Sequence, residues 1–293
     1  MTEGKASHSL KRMFEKLQVS RGQTIYLGLD MARLPLPTWP VPLNRDAIRA
    51  REARWCAFLF ENLMDVLGPN GTLLVGTFSY SCSNPEVTFV LEETPSEIGP
   101  FTNWFRQHPQ SIRSLHPIFS VAGVGRHAID ILKNTGGAAF GPCSPFGRLV
   151  THNARFVNLG VPLKQTLTYV HHLEQCYGCC HRYHKVFHGS VMQNGKKVDQ
   201  EFIGYMRWRG VDAGINLEPL EKALKGVDVL AEINEPGLYG QSVLAVDVDR
   251  IGYQLLSKDS LAFSAPKIRI DIDDSQVASK PSLSPIITFK LLP

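Results

Sequence analysis

The stretch that decides the fold is Gly68-Pro-Asn-Gly71-Thr72-Leu-Leu-Val-Gly-Thr77-Phe78. Its first four residues end a long helix predicted over residues 45–67, because glycine and proline cannot continue it. Its last seven residues are a continuous apolar run, which is typical of a strand covered on both faces. A helix, a sharp turn and a doubly covered strand predict a sheet flanked by helices.

The pattern of strands and helices continues on both sides of this stretch. Upstream we predict a helix over 8–18, a strand over 24–29 and an irregular loop over 35–43. Downstream we predict helices over 99–107, 128–133, 168–175, 217–224 and 245–256, and strands over 120–125, 156–160, 186–191, 198–208, 240–249 and 268–272, with a turn at Asn194-Gly195 and a polar, proline-marked tail after 273. The predicted fold is α/β, with a mixed, mainly parallel central sheet flanked by helices and a β-rich C-terminal part. We treat 1–293 as one domain that includes a β-rich subregion over 186–293; a division into two domains near residue 185 is the alternative.

Composition narrows the classes of protein. The chain has 293 residues, 43% hydrophobic and 20% charged, which is ordinary for a globular protein. Its net charge of +4 is mild, and its basic residues are scattered, so we expect no nucleic-acid partner. No apolar run long enough for a signal peptide or a membrane span occurs, so we expect no membrane association and a cytoplasmic location.

Six cysteines suggest a metal site at first sight. Three of them lie in the segment Cys176-Tyr-Gly-Cys179-Cys180-His181. A structural zinc site normally pairs two such knuckles, and the sequence has no second one, so we predict reduced thiols and no metal.

The segment Thr166-Leu-Thr168-Tyr-Val-His171-His172-Leu-Glu174 carries the clearest chemical signal. On a helix, Thr168, His171 and Glu174 at threefold spacing share one face. A carboxylate one turn from a histidine holds the tautomer of the ring and stabilises imidazolium, which is what a general base needs. A surface His–Glu pair is the alternative reading.

Further motifs resemble one family. They are Gly68–Tyr80, the segment Thr94-Pro-Ser-Glu-Ile-Gly99-Pro-Phe-Thr-Asn-Trp104-Phe-Arg106, the segment Arg113-Ser-Leu-His116-Pro-Ile-Phe-Ser120, and the shorter Gly141-Pro-Cys-Ser144-Pro145 and Tyr183-His-Lys185-Val-Phe187-His-Gly189. In this order, together with the Thr168/His171/Glu174 motif, they resemble the aminoglycoside 3-N-acetyltransferases, which use acetyl-CoA. The resemblance covers roughly residues 60–190.

The resemblance implies roles for particular residues. It implies one acetyltransferase domain with a single α/β fold, His171 as general base, Glu174 as the carboxylate that orients it, and Thr168 as a third motif position. It makes His172 a packing or surface residue. For the cofactor it points to a larger set: Asp30, Thr77, Phe78, Ser79, Tyr80, Arg113, Ser114, His116 and Ser120. Its partners would be coenzyme A and a small-molecule amine, and a homo-oligomeric state is left open.

The sequence departs from the family at the loop after the first strand. The family usually has a His-Ser-Ser or His-Ser-Asp segment there, whereas this chain has Leu27-Gly-Leu-Asp30-Met31. Only Asp30 fits one version, so a cofactor contact from this loop is left open. The proline-rich segment that follows is also unlike that of resistance enzymes, which keeps a nucleotide-linked amino sugar or a natural-product amine as an alternative acceptor.

Two alternative hypotheses place the protein in other functional classes. One is a metal-dependent hydrolase that uses the His/Cys-rich stretch 171–188. The other is a catalytically silent binding protein on the same scaffold, against which the intact His171/Glu174 pair argues.

Overall fold

The computed structural model describes residues 1–40, 44–208, 214–273 and 286–291. The helices of these ranges are α1 (Glu3–Lys16), α2 (Arg45–Leu67), α3 (Pro100–Arg106), α4 (Ala128–Leu132), α5 (Leu163–Thr166), α6 (Val170–Tyr177), α7 (Glu218–Gly226) and α8 (Ala245–Lys258). The strands are β1 (Thr24–Leu29), β2 (Thr72–Gly76), β3 (Phe89–Val90), β4 (Ile112–Arg113), β5 (Val121–Gly125), β6 (Arg155–Leu159), β7 (Arg182–Phe187), β8 (Val191–Gln193), β9 (Lys196–Lys197), β10 (Phe202–Arg207), β11 (Gly214–Ile215), β12 (Ala231–Glu235), β13 (Leu238–Leu244), β14 (Ser264–Ala265), β15 (Ile268–Asp273) and β16 (Ile286–Leu291).

A seven-stranded sheet forms the centre of the molecule, in the order β12-β13-β6-β1-β2-β5-β4. The predicted α/β fold with a mixed sheet flanked by helices is confirmed. The expectation of a mainly parallel sheet holds only for β6, β1 and β2, because the other four ladders are antiparallel. A short connection explains one of these ladders: β12 and β13 are joined by Pro236-Gly237 alone, and two residues can join only antiparallel strands.

The sheet separates two hydrophobic cores. Side chains of successive strand residues point to opposite faces, so Leu73 and Val75 enter one core while Leu74 enters the other. The first core is covered by α1, α2 and α3, and the second by α4, α6, α7 and α8. All five residues of β2 are buried, as the continuous apolar run predicts.

Several predicted boundaries are wrong, although the elements exist. The helix predicted over 8–18 begins at Glu3, because Thr2 caps it. The helix predicted from Thr168 begins at Val170. The strand predicted over 240–249 ends at Leu244, where α8 starts, since apolar periodicity alone cannot separate the end of a buried strand from the start of a buried helix.

The C-terminal half is rich in small sheets, as predicted. The strand predicted over 186–191 is two strands, β7 and β8, and the strand predicted over 198–208 is limited to β10, which pairs with β7. Asn194 and Gly195 both have positive φ and form the predicted turn between β8 and β9. The tail after 273 contains strand β16 paired with β15; residues 41–43 of the predicted loop and 274–285 of the tail lie outside the described residues. In the part of the chain described, no helix has the length and apolarity to cross a membrane.

Candidate active site

A cavity of about 730 Å³ opens at the carboxyl ends of β1 and β2. Ligands of α/β sheets collect at this edge, where loops from parallel strands diverge. Its walls come from the segment after β1 (residues 28–38), the segment after β2 (76–80), the start of α3 (98–102), and residues 165–168. Glu52 and Trp55 of α2 complete them. The lining is mainly apolar and aromatic, as is usual for a pocket that takes a small organic ligand.

The loop after β1 is packed closely against the end of α5. A Cβ atom at Gly28 would lie 2.8 Å from Thr166 Oγ1, so glycine is needed for this approach. Asn158 donates a hydrogen bond to the same hydroxyl. Asp30 lines the cavity, accepts from Ala32 N at 3.1 Å and pairs with Arg33 at 3.3 Å. The loop thus offers backbone and one carboxylate in place of hydroxyl side chains.

The segment after β2 has two different faces. Phe78 and Tyr80 line the cavity, whereas Thr77 and Ser79 are fully buried on the other side. This alternation continues the pleat of β2 beyond the end of its ladder. The aromatic residues therefore face a ligand, and the hydroxyl residues face the protein.

Arg113 binds the segment after β2 from its buried side. Its Nε contacts Thr77 Oγ1 (3.2 Å) and Ser120 Oγ (3.0 Å), and its terminal nitrogens donate to the carbonyl oxygens of Thr77, Leu91 and Thr94 and to Ser79 Oγ, at 2.6–3.3 Å. All five donors of the guanidinium are therefore engaged. Burial, together with the charge of the neighbouring Arg106, lowers the pKa of Arg113 to about 9.

The remaining residues of the predicted cofactor set belong to the same buried layer. Ser120 Oγ donates to Thr77 O at 2.8 Å, and Ser114 Oγ accepts from Val121 N at 2.9 Å. His116 Nδ1 accepts from two backbone amides, Ile118 N and Phe119 N, and burial lowers the pKa of His116 to about 4. Of the predicted set, Asp30, Phe78 and Tyr80 line the cavity, and the other six residues support its wall. Their contact with a cofactor stays a prediction.

His171 and Glu174 meet in the first turns of α6. His171 Nδ1 lies 3.2 Å from Glu174 Oε2, and the Glu174 side chain is completely buried. Thr168 precedes the helix, so the expectation that all three motif residues share one helix face is wrong. Thr168 nevertheless lines the cavity, and its carbonyl accepts from His171 N at 3.0 Å. The motif thus joins the cavity wall to the histidine.

Two residues that the sequence did not single out complete the surroundings of Glu174. His181 Nε2 lies 3.1 Å from Glu174 Oε1. Arg182 Nε lies 3.3 Å from Oε2 as an ion pair, without the geometry of a hydrogen bond. Both residues stand at the start of β7, and only the turn at Gly178, with φ +83°, brings them back to α6. The pair His181-Arg182 was hidden in a segment that resembles a metal knuckle.

The ionised state of Glu174 determines which nitrogen of His171 carries the proton. Burial alone would raise the pKa of Glu174, but hydrogen bonds from His171 and His181 outweigh it and hold this pKa at about 2. An ionised carboxylate only accepts hydrogen bonds, so His171 carries its proton on Nδ1. Its Nε2 makes no hydrogen bond to any residue the structure describes, so this nitrogen is available as a base. Burial lowers the pKa of His171, the hydrogen bond to Glu174 opposes this, and Arg182 lowers it further.

Aromatic contacts connect the pair to the cavity. The ring of His171 lies 5.2 Å from that of Phe140, and Phe140 lies 4.9 Å from Phe119. Phe119 in turn packs on Phe78 and Tyr80 of the cavity wall, at 5.5 and 6.3 Å. His171 itself is not among the described residues that line the cavity; these successive ring contacts and its backbone hydrogen bond to Thr168 connect it to the cavity wall.

His172 has a different environment. Its Nδ1 donates to Phe140 O at 2.6 Å, and its ring lies 5.0 Å from that of Tyr169. Only 7% of the residue is exposed. His172 is thus the packing residue that the sequence predicts, and it does not contact Glu174.

The cysteines do not converge. Cys176 and Cys180 are exposed, Cys179 is buried, and His181 is committed to Glu174. Within the described ranges, no group of three or more His, Cys, Asp or Glu side chains could hold a metal ion. The prediction that the protein has no metal is left to experiment.

The fold and the site define an α/β protein with a ligand cavity at its strand ends and a histidine, oriented by a carboxylate, that is connected to the cavity wall through Thr168. The chain belongs to the aminoglycoside 3-N-acetyltransferase family, whose sequence model matches residues 52–234. This range contains the segment after β2, the Arg113 layer and the His171–Glu174 pair.

Known proteins agree with this assignment. Aminoglycoside N(3)-acetyltransferase IX of Micromonospora chalcea is 26% identical over 159 residues, which cover 48% of this chain and 56% of that protein. The chain thus spans about half the length of the curated relatives it matches. The crystal structure of aminoglycoside acetyltransferase AAC(3)-Xa has a TM-score of 0.68 at 18% identity, over 88% of this chain and 93% of that one. The binary complex of AAC-IIIb with CoASH has the same score and identity, over 88% and 97%. At this identity the two structures show a shared fold.

Proposed function

We propose that this protein transfers the acetyl group of acetyl-CoA to a primary amine of an aminoglycoside or an amino-sugar-like acceptor. The family assignment and the coenzyme bound by AAC-IIIb support the donor. The observation that carries the proposal is the free Nε2 of His171, which is oriented by Glu174 and is connected through Thr168 to a cavity of substrate size. A nucleotide-linked amino sugar or a natural-product amine needs the same chemistry and remains the alternative acceptor.

In the proposed reaction, His171 Nε2 takes a proton from the acceptor amine. The amine nitrogen then forms a bond to the thioester carbonyl carbon, the carbon–sulfur bond breaks, and coenzyme A leaves as the thiolate, which takes up the proton held by His171. Glu174 favours the imidazolium form of His171 during attack. Thr168, which lines the cavity, is the proposed donor to the oxyanion.

We assign the cavity to the pantetheine arm of the coenzyme and the adjoining acceptor. Phe78 and Tyr80 supply an apolar wall, and the loop at Gly28–Asp30 supplies backbone groups. None of the cavity-lining residues in the described ranges is lysine or arginine, so the phosphates of the coenzyme would lie outside it. In this proposal Arg113, Ser114, His116 and Ser120 act by holding the wall in place. The whole chain 1–293 would serve as one acetyltransferase domain.

The test is an acetyl-CoA-dependent assay of thiol release over a panel of aminoglycosides and amino sugars. Turnover with at least one amine, together with a rise in melting temperature on adding acetyl-CoA, is the expected result, because a ligand that binds only the folded state stabilises it. Absence of both at millimolar acetyl-CoA would refute the proposed donor. Elemental analysis of the same preparation tests the metal prediction, and about one zinc per chain would favour the hydrolase.

A further inference from the structure

His181 holds the side of Glu174 that the catalytic pair leaves free. Its Nε2 lies 3.1 Å from Oε1, while His171 occupies Oε2 at 3.2 Å. On the basis of the proposed function, we propose that His181 is a positioning residue: it holds one oxygen of Glu174 so that the other is aimed at Nδ1 of His171. His181 itself contacts neither donor nor acceptor in this proposal.

The tautomer of His181 follows from the carboxylate. The low pKa of Glu174 keeps it ionised, so His181 must donate from Nε2. Its Nδ1 is buried and has no hydrogen-bond partner among the described residues. A second proton on Nδ1 would have no acceptor. The environment therefore fits a neutral donor with one N–H group.

A neutral donor suits the base better than a cation would. Arg182 already lies 3.3 Å from Glu174 and lowers the pKa of His171. A second positive charge on Oε1 would lower that pKa further and oppose the imidazolium that forms during attack. In this proposal a neutral His181 holds the carboxylate without adding a charge beside it.

The other ionisable groups near Glu174 have a weaker effect on its charge state. Tyr205 and Cys179 interact electrostatically with Glu174, and burial raises both of their pKa values, so both are neutral at physiological pH. Arg207 acts on Arg182. In this proposal His181 is thus the neutral hydrogen-bond donor to Glu174 beside His171. Its removal would take away a hydrogen bond from Glu174 but no charge.

Removing the N–H group of His181 should change both rate and pH dependence. Without it, Glu174 loses one of two hydrogen bonds and is free to rotate, so turnover should fall roughly tenfold. The negative charge of the carboxylate would then be stabilised by one hydrogen bond fewer. It would interact more strongly with the imidazolium form of His171 and raise the pKa of His171. The acid limb of the kcat profile should therefore move to higher pH.

The test compares His181→Phe, which keeps a ring of similar size but has no donor, with His181→Gln, which keeps an amide donor. His181→Phe should lower kcat roughly tenfold and shift the acid limb upward, with KM for acetyl-CoA nearly unchanged. His181→Gln should restore part of the rate and return the limb toward that of the parent. A purely structural role would lower the melting temperature without moving the limb. A parental profile in a folded His181→Phe variant would overturn the proposal.

A measurement on the unmodified protein covers the case in which His181→Phe fails to fold. Nitrogen-15 NMR of the histidine rings should show His181 protonated at Nε2 and His171 protonated at Nδ1. Finding His181 protonated at Nδ1 alone would exclude the donor role, whatever the variants do. If instead the parent shows no turnover with any amine, or His171→Ala is fully active, the proposed function fails and the tautomer result still stands by itself.

Discussion

His171 and His172 are adjacent in sequence but have opposite surroundings, and this difference can be tested directly. His171→Ala should lower turnover on the order of 10²–10⁴-fold, because a positioned general base is lost, while the dissociation constant of acetyl-CoA stays nearly the same. His172→Ala should keep most of the activity and lose about 1–3 kcal/mol of stability, because Phe140 O is left without its donor. Steady-state kinetics, calorimetry and urea unfolding measure these effects. An inactive His172→Ala beside an active His171→Ala would mean that the base has been assigned to the wrong histidine.

The pH dependence of turnover should report the environment of His171. The base must be neutral to accept a proton, so kcat should rise as pH rises through the pKa of His171. Because burial lowers this pKa, the midpoint should lie below about 6.5, the value of an unperturbed histidine. Amines of different pKa separate this limb from titration of the acceptor, since only the acceptor's limb should move with the amine. A single limb that follows the amine throughout would contradict a histidine base.

At the scale of elements, the buried layer around Arg113 connects the ends of β2, β4 and β5. Arg113→Lys keeps the charge but loses the planar fork of five donors. We expect a loss of about 3 kcal/mol of stability and a higher KM for acetyl-CoA, with a smaller effect on kcat. Urea unfolding and steady-state kinetics measure both. Arg106→Lys, at a half-exposed arginine that bonds Asn103 and Glu92 O, is the matched control. An unchanged KM for acetyl-CoA in a destabilised Arg113→Lys variant would mean that this layer does not affect binding of the coenzyme.

The sequence predicted the elements better than the contacts between them. The apolar run of β2 and the Asn194-Gly195 turn are local signals, so both were found. The antiparallel edges of the sheet were not, because pairing depends on where a strand docks. The same limit applies to the site: the i,i+3 spacing predicted the His171–Glu174 pair, whereas His181 reaches Glu174 only through the reversal of the chain at Gly178. No periodicity in the sequence encodes that contact.

At the scale of the whole molecule, Glu174 should affect acid stability. Its pKa is about 2 in the folded protein against 4.5 for an ordinary glutamate. The folded state therefore binds fewer protons than the unfolded state between these values, and stability is lost as pH falls from about 4.5 to about 2. The shift corresponds to about 3 kcal/mol. Unfolding free energies measured by urea across this window should fall less steeply for Glu174→Gln than for the parent. Glu93→Gln, at an exposed position, should have the parental slope.

A second buried group acts in a higher window of pH, which keeps the two effects apart. His116 has a pKa lowered to about 4 from 6.5. The unfolded state therefore binds more protons between these values, and this contribution to stability is lost as pH falls from about 6.5 to about 4. Glu174→Gln should leave the contribution of His116 unchanged, because Glu174 does not act on the pKa of His116. Any change in this upper window would come from His171, whose pKa depends on Glu174.

Trp55 gives the molecule a built-in optical reporter. It lines the cavity and donates from its indole nitrogen to Pro37 O at 2.8 Å, so its ring links α2 to the proline-rich segment. Tryptophan emission depends on the polarity around the indole, so coenzyme A that enters the cavity should change the intensity or wavelength of fluorescence. The change should disappear in Trp55→Phe and persist in Trp104→Phe, since Trp104 does not line the cavity itself and contacts the lining through Phe101. Ligands could then be ranked by light emission alone, before any acceptor is known.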